Sequence, residues 1–265
     1  MNGRVIAALI LRYSLLYLRS WIRSIELIFW PTLELLLWGF LAVFIHRQTE
    51  GNFPYFIKFL IGAVIFWDVL FRAQQAVALS FLEDLWTRNF LNLFIAPIRL
   101  TEYLAAICIV GIIRVTVTVA LLSVFAKALY SFNLLDFEWQ LIPFFGNLLL
   151  FGWSLGMISI ALILRWGLAA ESLAWAVPFL VQPISAVFYP VSVLPVPLQT
   201  LAWLLPSTYV FEGMREVIRT GEMQWSNLLI SIIMNVGFLI LASGFFAFMF
   251  NIARDKGLLV KIASE

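Results

Sequence analysis

The chain has 265 residues, of which 63% are hydrophobic and 12% are charged, and its formal net charge is +2 at pH 7. Soluble domains carry about 25% charged residues, so this chain has too few charges to cover the surface of a soluble fold. The small net charge gives no electrostatic footprint for nucleic acid, and the high hydrophobicity excludes intrinsic disorder. The single cysteine, Cys108, excludes an internal disulfide. The composition therefore predicts a polytopic, all-α membrane protein that forms one domain over residues 1–265.

The first segment, residues 1–24, is basic and amphipathic, and it lacks the cleavage site of a signal peptide. At 3.6 residues per turn its four arginines share one arc of a helix: Arg4, Arg12, Arg19 and Arg23. This spacing predicts a helix that lies in the membrane interface, with its basic face towards anionic headgroups. An orientation signal without a further role is the alternative.

Six apolar stretches reach the length of about 20 residues that a membrane-spanning helix needs. They are residues 25–45, 56–79, 103–126, 140–164, 171–190 and 226–251. Prolines interrupt the fifth stretch, and such breaks persist in a membrane only where protein or water satisfies the backbone. Lysine and arginine predominate on the flanks that an inside N-terminus assigns to the cytoplasm. The sequence therefore predicts six spans with both termini in the cytoplasm.

The segment 80–97 is too polar to cross the membrane and lies between the second and third predicted spans, on the cytoplasmic side. Its apolar residues repeat at helical spacing, and Pro97 disfavours helix at the residue before it. We therefore predict a short amphipathic helix that docks onto a cytoplasmic partner. Its candidate docking residues are Glu83, Asp84, Thr87, Arg88 and Asn92, with Asp84 and Arg88 forming an i,i+4 pair. A helix that only rests on the membrane is the alternative.

The segment 188–221 is apolar but contains four prolines, which forbid one continuous helix. We predict an outer segment that dips back into the edge of the bilayer. A second short helix is expected at about 208–220, ending at Gly221 with Arg219 in its last turn. The segment either closes the outer end of a pathway or forms a lid without a gating role.

Four charged residues are predicted at similar depth within the first three spans: Glu34, Asp68, Arg72 and Arg114. Charges inside a membrane are costly and are usually paired or functional. We expect them to neutralise one another as a packing network, with a proton or substrate path as the alternative. Glu34 also belongs to a stripe at i,i+4 spacing with Glu26, Trp30 and Trp38.

Motifs for catalysis and nucleotide binding are missing from the sequence. There is no phosphate-binding loop, no H-E-x-x-H or G-x-S-x-G motif and no Cys/His cluster. The lone His46 cannot build a metal site. We therefore assign no catalytic residue, metal or cofactor to this chain, and any ATP must bind to another polypeptide. Gly152 and Gly156 form a G-x-x-x-G motif, which favours close helix packing.

The order of these elements resembles the ABC-2 type permeases, the membrane subunits of a class of ATP-binding-cassette exporter. Two stretches carry the resemblance: FLEDLWTRNFLNLFIAPIRLTEY at 81–103 and FYPVSVLPVPLQTLAWLLPSTYVFEGMR at 188–215. In the second, Pro190, Pro195 and Pro206 carry the resemblance, and the stretch closes on Glu212-Gly213-Met214-Arg215. The first departs from many relatives, which have a more charged segment with a glycine there, so the specificity of docking stays open.

The resemblance implies a transporter of the inner (cytoplasmic) membrane, built from two permeases, as a homodimer, and two ATPase subunits that bind ATP and Mg²⁺. Residues 82–94 would be the coupling helix, and substrate would pass between the two permeases. The implied pathway residues are Trp30, Glu34, Trp38, Gln182 and Tyr189. Export of an amphipathic cargo, such as a glycolipid, a polysaccharide or a hydrophobic drug, is expected.

Two other functions remain open from the residues alone. A secondary transporter or channel would work without ATP through the buried charges. A membrane enzyme on lipid-linked substrates would need a catalytic set that the sequence does not display.

Overall fold

The computed structural model describes residues 1–48, 55–87, 96 and 98–256, and its regular elements are helical. The α-helices are α1 (Gly3–Leu18), α2 (Trp21–Gln48), α3 (Phe56–Trp86), α4 (Leu100–Tyr130), α5 (Leu141–Trp166), α6 (Leu173–Ile184), α7 (Val196–Ala202), α8 (Pro206–Thr220) and α9 (Trp225–Asp255). Short 3₁₀ helices occupy Leu134–Gln140, Gly167–Ala170 and Val191–Val193. The all-α prediction is confirmed for the described residues.

Helix α3 is the buried centre of the bundle. Every residue from Leu60 to Leu70 is buried, and α2, α4 and α5 pack against it. The predicted G-x-x-x-G motif forms the contact with α5. A Cβ atom on Gly152 would lie 2.6 Å from the Ala73 Cβ, and one on Gly156 would lie 2.6 Å from the Val77 Cβ. These glycines therefore let the two backbones approach closely.

Among the described helices, four are long and apolar enough to cross a membrane: α2, α4, α5 with its preceding 3₁₀ turn, and α9. They match the first, third, fourth and sixth predicted spans. Helix α3 is equally long, but Asp68, Arg72, Gln74 and Gln75 interrupt its apolar run. The predicted fifth span is not one continuous helix. Helix α6 ends at Ile184 after 12 residues, or about 18 Å, and is too short to cross alone.

The helix predicted over 80–97 does not begin as a separate element. Its first residues continue α3 without a break as far as Trp86, because Phe81, Leu82 and Leu85 are buried against neighbouring helices. The rest of the segment, including Arg88 and Asn92, lies outside the described residues apart from Ala96.

The helix predicted at about 208–220 is confirmed as α8. It starts with Pro206 in its first turn and ends at Gly221, whose φ of +77° is the left-handed conformation that favours glycine. Helix α7, with Pro197 in its first turn, and the 3₁₀ turn at Val191–Val193 precede α8. The prolines therefore divide the outer segment into short helices, as their distribution predicts.

Candidate functional site

The carboxylate of Asp84 joins three helices at one end of the bundle, called the Asp84 end below. Arg12 Nη2 of α1 donates to Asp84 Oδ1 at 2.5 Å. The Tyr13 hydroxyl donates to Asp84 Oδ2, and the Tyr103 hydroxyl of α4 donates to the same oxygen at 3.3 Å. Asp84 is 1% exposed. Burial, followed by the negative charge of Asp84, raises the pKa of Tyr13 above its usual value, so its hydroxyl stays a donor at neutral pH.

Glu83 makes a second set of contacts beside the first. Arg23 Nη1 donates to Glu83 Oε1 at 3.3 Å, and the Tyr17 hydroxyl lies 3.5 Å from the same oxygen. The guanidinium of Arg114 lies over the Tyr17 ring, with Cζ 3.8 Å from the ring centroid. Side chains from α1, α2 and α4 thus gather around the end of α3: Tyr17, Arg23 and Arg114.

The spacing of residues along α1 explains this arrangement. Tyr13 and Tyr17 are four residues apart and therefore lie on one face of the helix, next to Arg12. The N-terminus of α1 is attached as well, because the backbone N–H of Asn2 donates to Glu102 Oε1 of α4 at 2.6 Å. Helix α1 is therefore fixed at both ends to the bundle.

The structure modifies the predicted basic N-terminal helix: α1 ends at Leu18, so Arg23 lies on α2, and two of the four arginines are paired. Arg12 and Arg23 turn their guanidinium groups towards carboxylates of α3, whereas Arg4 and Arg19 are exposed. The spacing placed the arginines on one arc but could not show that two acidic residues of another helix lie opposite that arc.

The predicted docking residues separate into inward and outward groups. Glu83 and Asp84 are buried in contacts within the chain, and Asp84 pairs with Arg12. Thr87 is exposed, and so is Trp86, which was not among the predicted docking residues and whose Nε1 donates to Glu171 Oε2 at 3.1 Å. The docking role of the five predicted residues stays a prediction.

The four predicted buried charges do not form one network. Arg72 Nε donates to Asp68 Oδ1 at 3.2 Å, and both side chains are largely buried. Glu34 is half-buried and within electrostatic range of both. Arg114 lies with Tyr17 instead. Of the expected network of four charges, the structure therefore brings Asp68 and Arg72 into contact and places Arg114 elsewhere, since depth along a span does not fix the direction of a side chain.

The predicted pathway residues are spread along α2, α6 and the outer segment. Trp30 is 62% exposed, and Trp38 stacks on Phe188 with ring centroids 4.4 Å apart. Gln182 is half-buried, and the Tyr189 hydroxyl donates to the carbonyl of Pro183 at 2.7 Å.

Arg215 of α8 fastens the proline-rich outer segment at the opposite end of the bundle. Its Nη2 donates to the carbonyls of Ala186 and Tyr189, the latter at 2.6 Å, and its Nε donates to Glu212 at 3.3 Å. Glu212 in turn accepts from the backbone N–H of Val191 at 2.8 Å. Burial lowers the pKa of Arg215 to about 10, so this guanidinium remains charged at neutral pH.

The closing Glu-Gly-Met-Arg sequence thus has a structural explanation. Glu212 and Arg215 hold the segment at Ala186–Val191, and a Cβ atom on Gly213 would lie 3.1 Å from Phe144 Cε1. A model of the ABC-2 type transporter family matches residues 5–218, a range that contains both the Asp84 end and this motif. The chain belongs to the ABC-2 type transporter family. Comparison with curated proteins gives no match.

Membership of the ABC-2 family makes this chain a transport subunit of the membrane, one that associates with an ATP-binding subunit. It gives no support to the alternative of an ATP-independent carrier. Within the described ranges, no three His, Cys, Asp or Glu side chains are grouped as metal ligands.

The sequence did not identify Tyr13, Tyr17 and Tyr103 as hydrogen-bond partners of α3, because the carboxylates that they contact are distant along the chain. The signal that was available is the pair of tyrosines at i,i+4 beside Arg12.

Proposed function

We propose that this ABC-2 family member is the permease of an exporter of the inner membrane, working as a homodimer with two separate ATPase subunits. Both termini and the Asp84 end face the cytoplasm in this arrangement. ATP and Mg²⁺ bind to the ATPase subunits. The cargo is amphipathic or apolar, in the range from glycolipid or polysaccharide to hydrophobic drug.

The observation that carries the proposal is the continuity of α3. This helix runs unbroken over 31 residues from Phe56 to Trp86, or about 45 Å. Its first turns lie beside Arg215, and its last turn carries Glu83 and Asp84 inward and Trp86 outward. A displacement applied just after residue 87 would therefore move α3, and α1 would follow through Arg12 and α2 through Arg23.

ATP-driven closure of the partner subunits is the source of that displacement in our proposal. A partner shifts a two-state equilibrium only if its affinity differs between the states. The ATPase dimer meets this condition if the segment after Trp86 docks onto it, because closure changes the distance between the two docked segments. This chain contributes mechanical coupling and performs no chemistry.

The surface of α2 supports a pathway or an interface with a second copy. Its exposed apolar residues repeat at intervals of three and four: Trp30, Leu33, Leu37, Phe40 and Phe44. Glu34 lies beside this stripe and is half-buried. A path that passes Trp30, Glu34 and Trp38 offers ring faces with one acidic group, which fits an amphipathic cargo better than an ion.

Co-purification with the ATPase tests the docking. Trp86→Ala removes an exposed side chain at the Asp84 end and is expected to lower the ATPase retained per permease several-fold. Trp225→Ala is the matched control, because Trp225 is also exposed but begins α9 at the other end. Full retention by Trp86→Ala, or transport of cargo without any ATPase, would contradict the proposal.

The orientation is tested separately by cysteine labelling. Because Cys108 is the single cysteine, Cys108→Ser gives a cysteine-free background. Thr87→Cys in that background should react with a membrane-impermeant maleimide only after the cells are opened. Arg219→Cys, which lies at the other end of the bundle, should react in intact cells whose outer membrane has been removed. The reverse pattern would overturn the assignment of the Asp84 end to the cytoplasm.

A further inference from the structure

A groove of about 660 Å³ lies along α1 and the first turn of α2. Three arginines line it: Arg12, Arg19 and Arg23. Leu11, Leu15 and Leu16 contribute apolar walls.

The charged side chains that line the groove are all positive. Its lining contains three guanidinium groups and no carboxylate. Asp84 and Glu83, which pair with Arg12 and Arg23, are buried and are not part of the lining. Each guanidinium has five donors, so the two paired arginines retain donors for a second partner. Arg19 is exposed and has no ion pair with any residue in the described part of the chain.

Exposed apolar side chains surround the groove. Leu18 and Trp21 are more than 70% exposed, and Leu11 and Ile22 are more than 50% exposed. A small, water-soluble anion would gain nothing from such walls. An amphiphile with a negatively charged head and hydrocarbon chains matches both the arginines and the leucines.

We propose that this groove holds the phosphate headgroup of one anionic phospholipid, with Arg19 as its principal ligand and Arg12 and Arg23 beside it. In the orientation proposed above, on which this step rests, the groove faces the cytoplasmic leaflet, which is rich in anionic lipid. Arginine presents a planar fork that binds phosphate in two places. The bound lipid would rest against α1, which is itself fixed to the end of α3 through Asp84. The site is independent of cargo and of the ATPase.

Lipid binding to the purified full-length chain in detergent tests this inference. Native mass spectrometry during titration with phosphatidylglycerol should show one lipid that is retained per chain, with phosphatidylcholine retained much less. Arg19→Gln should weaken phosphatidylglycerol binding about fivefold. One arginine near an anionic surface contributes about 1 kcal/mol, which corresponds to about a fivefold change in affinity. Arg4→Gln is the matched control, because Arg4 is exposed on the same helix and does not line the groove.

Equal losses in Arg19→Gln and Arg4→Gln would overturn the site, because they would show diffuse surface attraction instead. Equal binding of phosphatidylglycerol and phosphatidylcholine would overturn the role of charge. Neither result depends on an ATPase, so failure here leaves the proposed transport function untouched, and failure of ATPase docking leaves the lipid site untouched.

Discussion

The carboxylate of Asp84 accepts a hydrogen bond of 2.5 Å from Arg12, a residue 72 positions earlier in the chain. This contact links the N-terminal helix to the end of the buried central helix. Because Asp84 is also bonded to Tyr13 and Tyr103, it neutralises one cation and satisfies two hydroxyl groups at once. Its first role is therefore structural, whatever the neighbouring segment docks onto.

Asp84→Asn is expected to destabilise the protein by about 2 kcal/mol, since it leaves a partly buried arginine without its counter-charge. The midpoint of thermal unfolding in detergent should fall accordingly. Asp255→Asn is the control, because the Asp255 side chain is 71% exposed and pairs with its exposed neighbour Arg254. An unchanged midpoint for Asp84→Asn would show that the contact contributes nothing to stability.

Gly152→Ala is expected to destabilise the packing of α5 on α3 by about 1–3 kcal/mol. The new Cβ atom would lie 2.6 Å from both the Ala73 Cβ and the carbonyl oxygen of Leu70, well inside the normal contact distance of about 3.5–4.0 Å. Gly146→Ala in the same helix meets no atom within 4 Å and should leave the unfolding midpoint unchanged or slightly raised. Similar midpoints for the two variants would contradict the close approach.

The features that sequence reasoning predicted correctly depend on local signals. The end of helix α8 was predicted from Gly221 as the C-terminal residue and from Arg219 in the last turn. Both residues lie within one turn of the helix end that they predict. The glycines at 152 and 156 were recognised because their spacing alone places them on one face. Such signals need no knowledge of what lies opposite.

The features that were missed depend on distant partners. The sequence predicts Glu83 and Asp84 as docking residues of a separate amphipathic helix, yet α1 and α2 supply arginines that permit their burial. Helix α3 therefore continues through a segment that its composition alone would end. The predicted cluster containing Arg114 was wrong for the same reason, since depth in a span says nothing about which neighbour a side chain meets.

Arg215→Lys is expected to loosen the outer segment although it preserves the charge. A lysine has a single ammonium group and cannot reach two carbonyls and Glu212 in the planar arrangement that arginine uses. Limited proteolysis between Ala186 and Pro195 should become faster. Arg219→Lys serves as the control, because Arg219 is 67% exposed and pairs with Glu216 of its own helix, an arrangement of little energetic value. Equal cleavage rates would argue against the fastening role of Arg215.

Arg72→Leu is expected to destabilise the protein by about 3 kcal/mol, because it leaves the carboxylate of Asp68 buried without its partner. The double variant Asp68→Leu/Arg72→Leu removes both charges and should recover most of the loss, to within about 1 kcal/mol of the original protein. Unfolding midpoints and purification yields measure both effects.

The same pair of variants distinguishes a packing contact from a transport path. If Asp68 and Arg72 only pack helices, the double variant should also retain substrate-stimulated hydrolysis by the associated ATPase. A double variant that is as stable as the original protein but no longer stimulates hydrolysis would show instead that the pair lies on the path. Glu34→Gln completes the comparison, because Glu34 is within electrostatic range of both Asp68 and Arg72. If Glu34 faces the path, this variant should alter the substrate-stimulated ATP hydrolysis without lowering the unfolding midpoint.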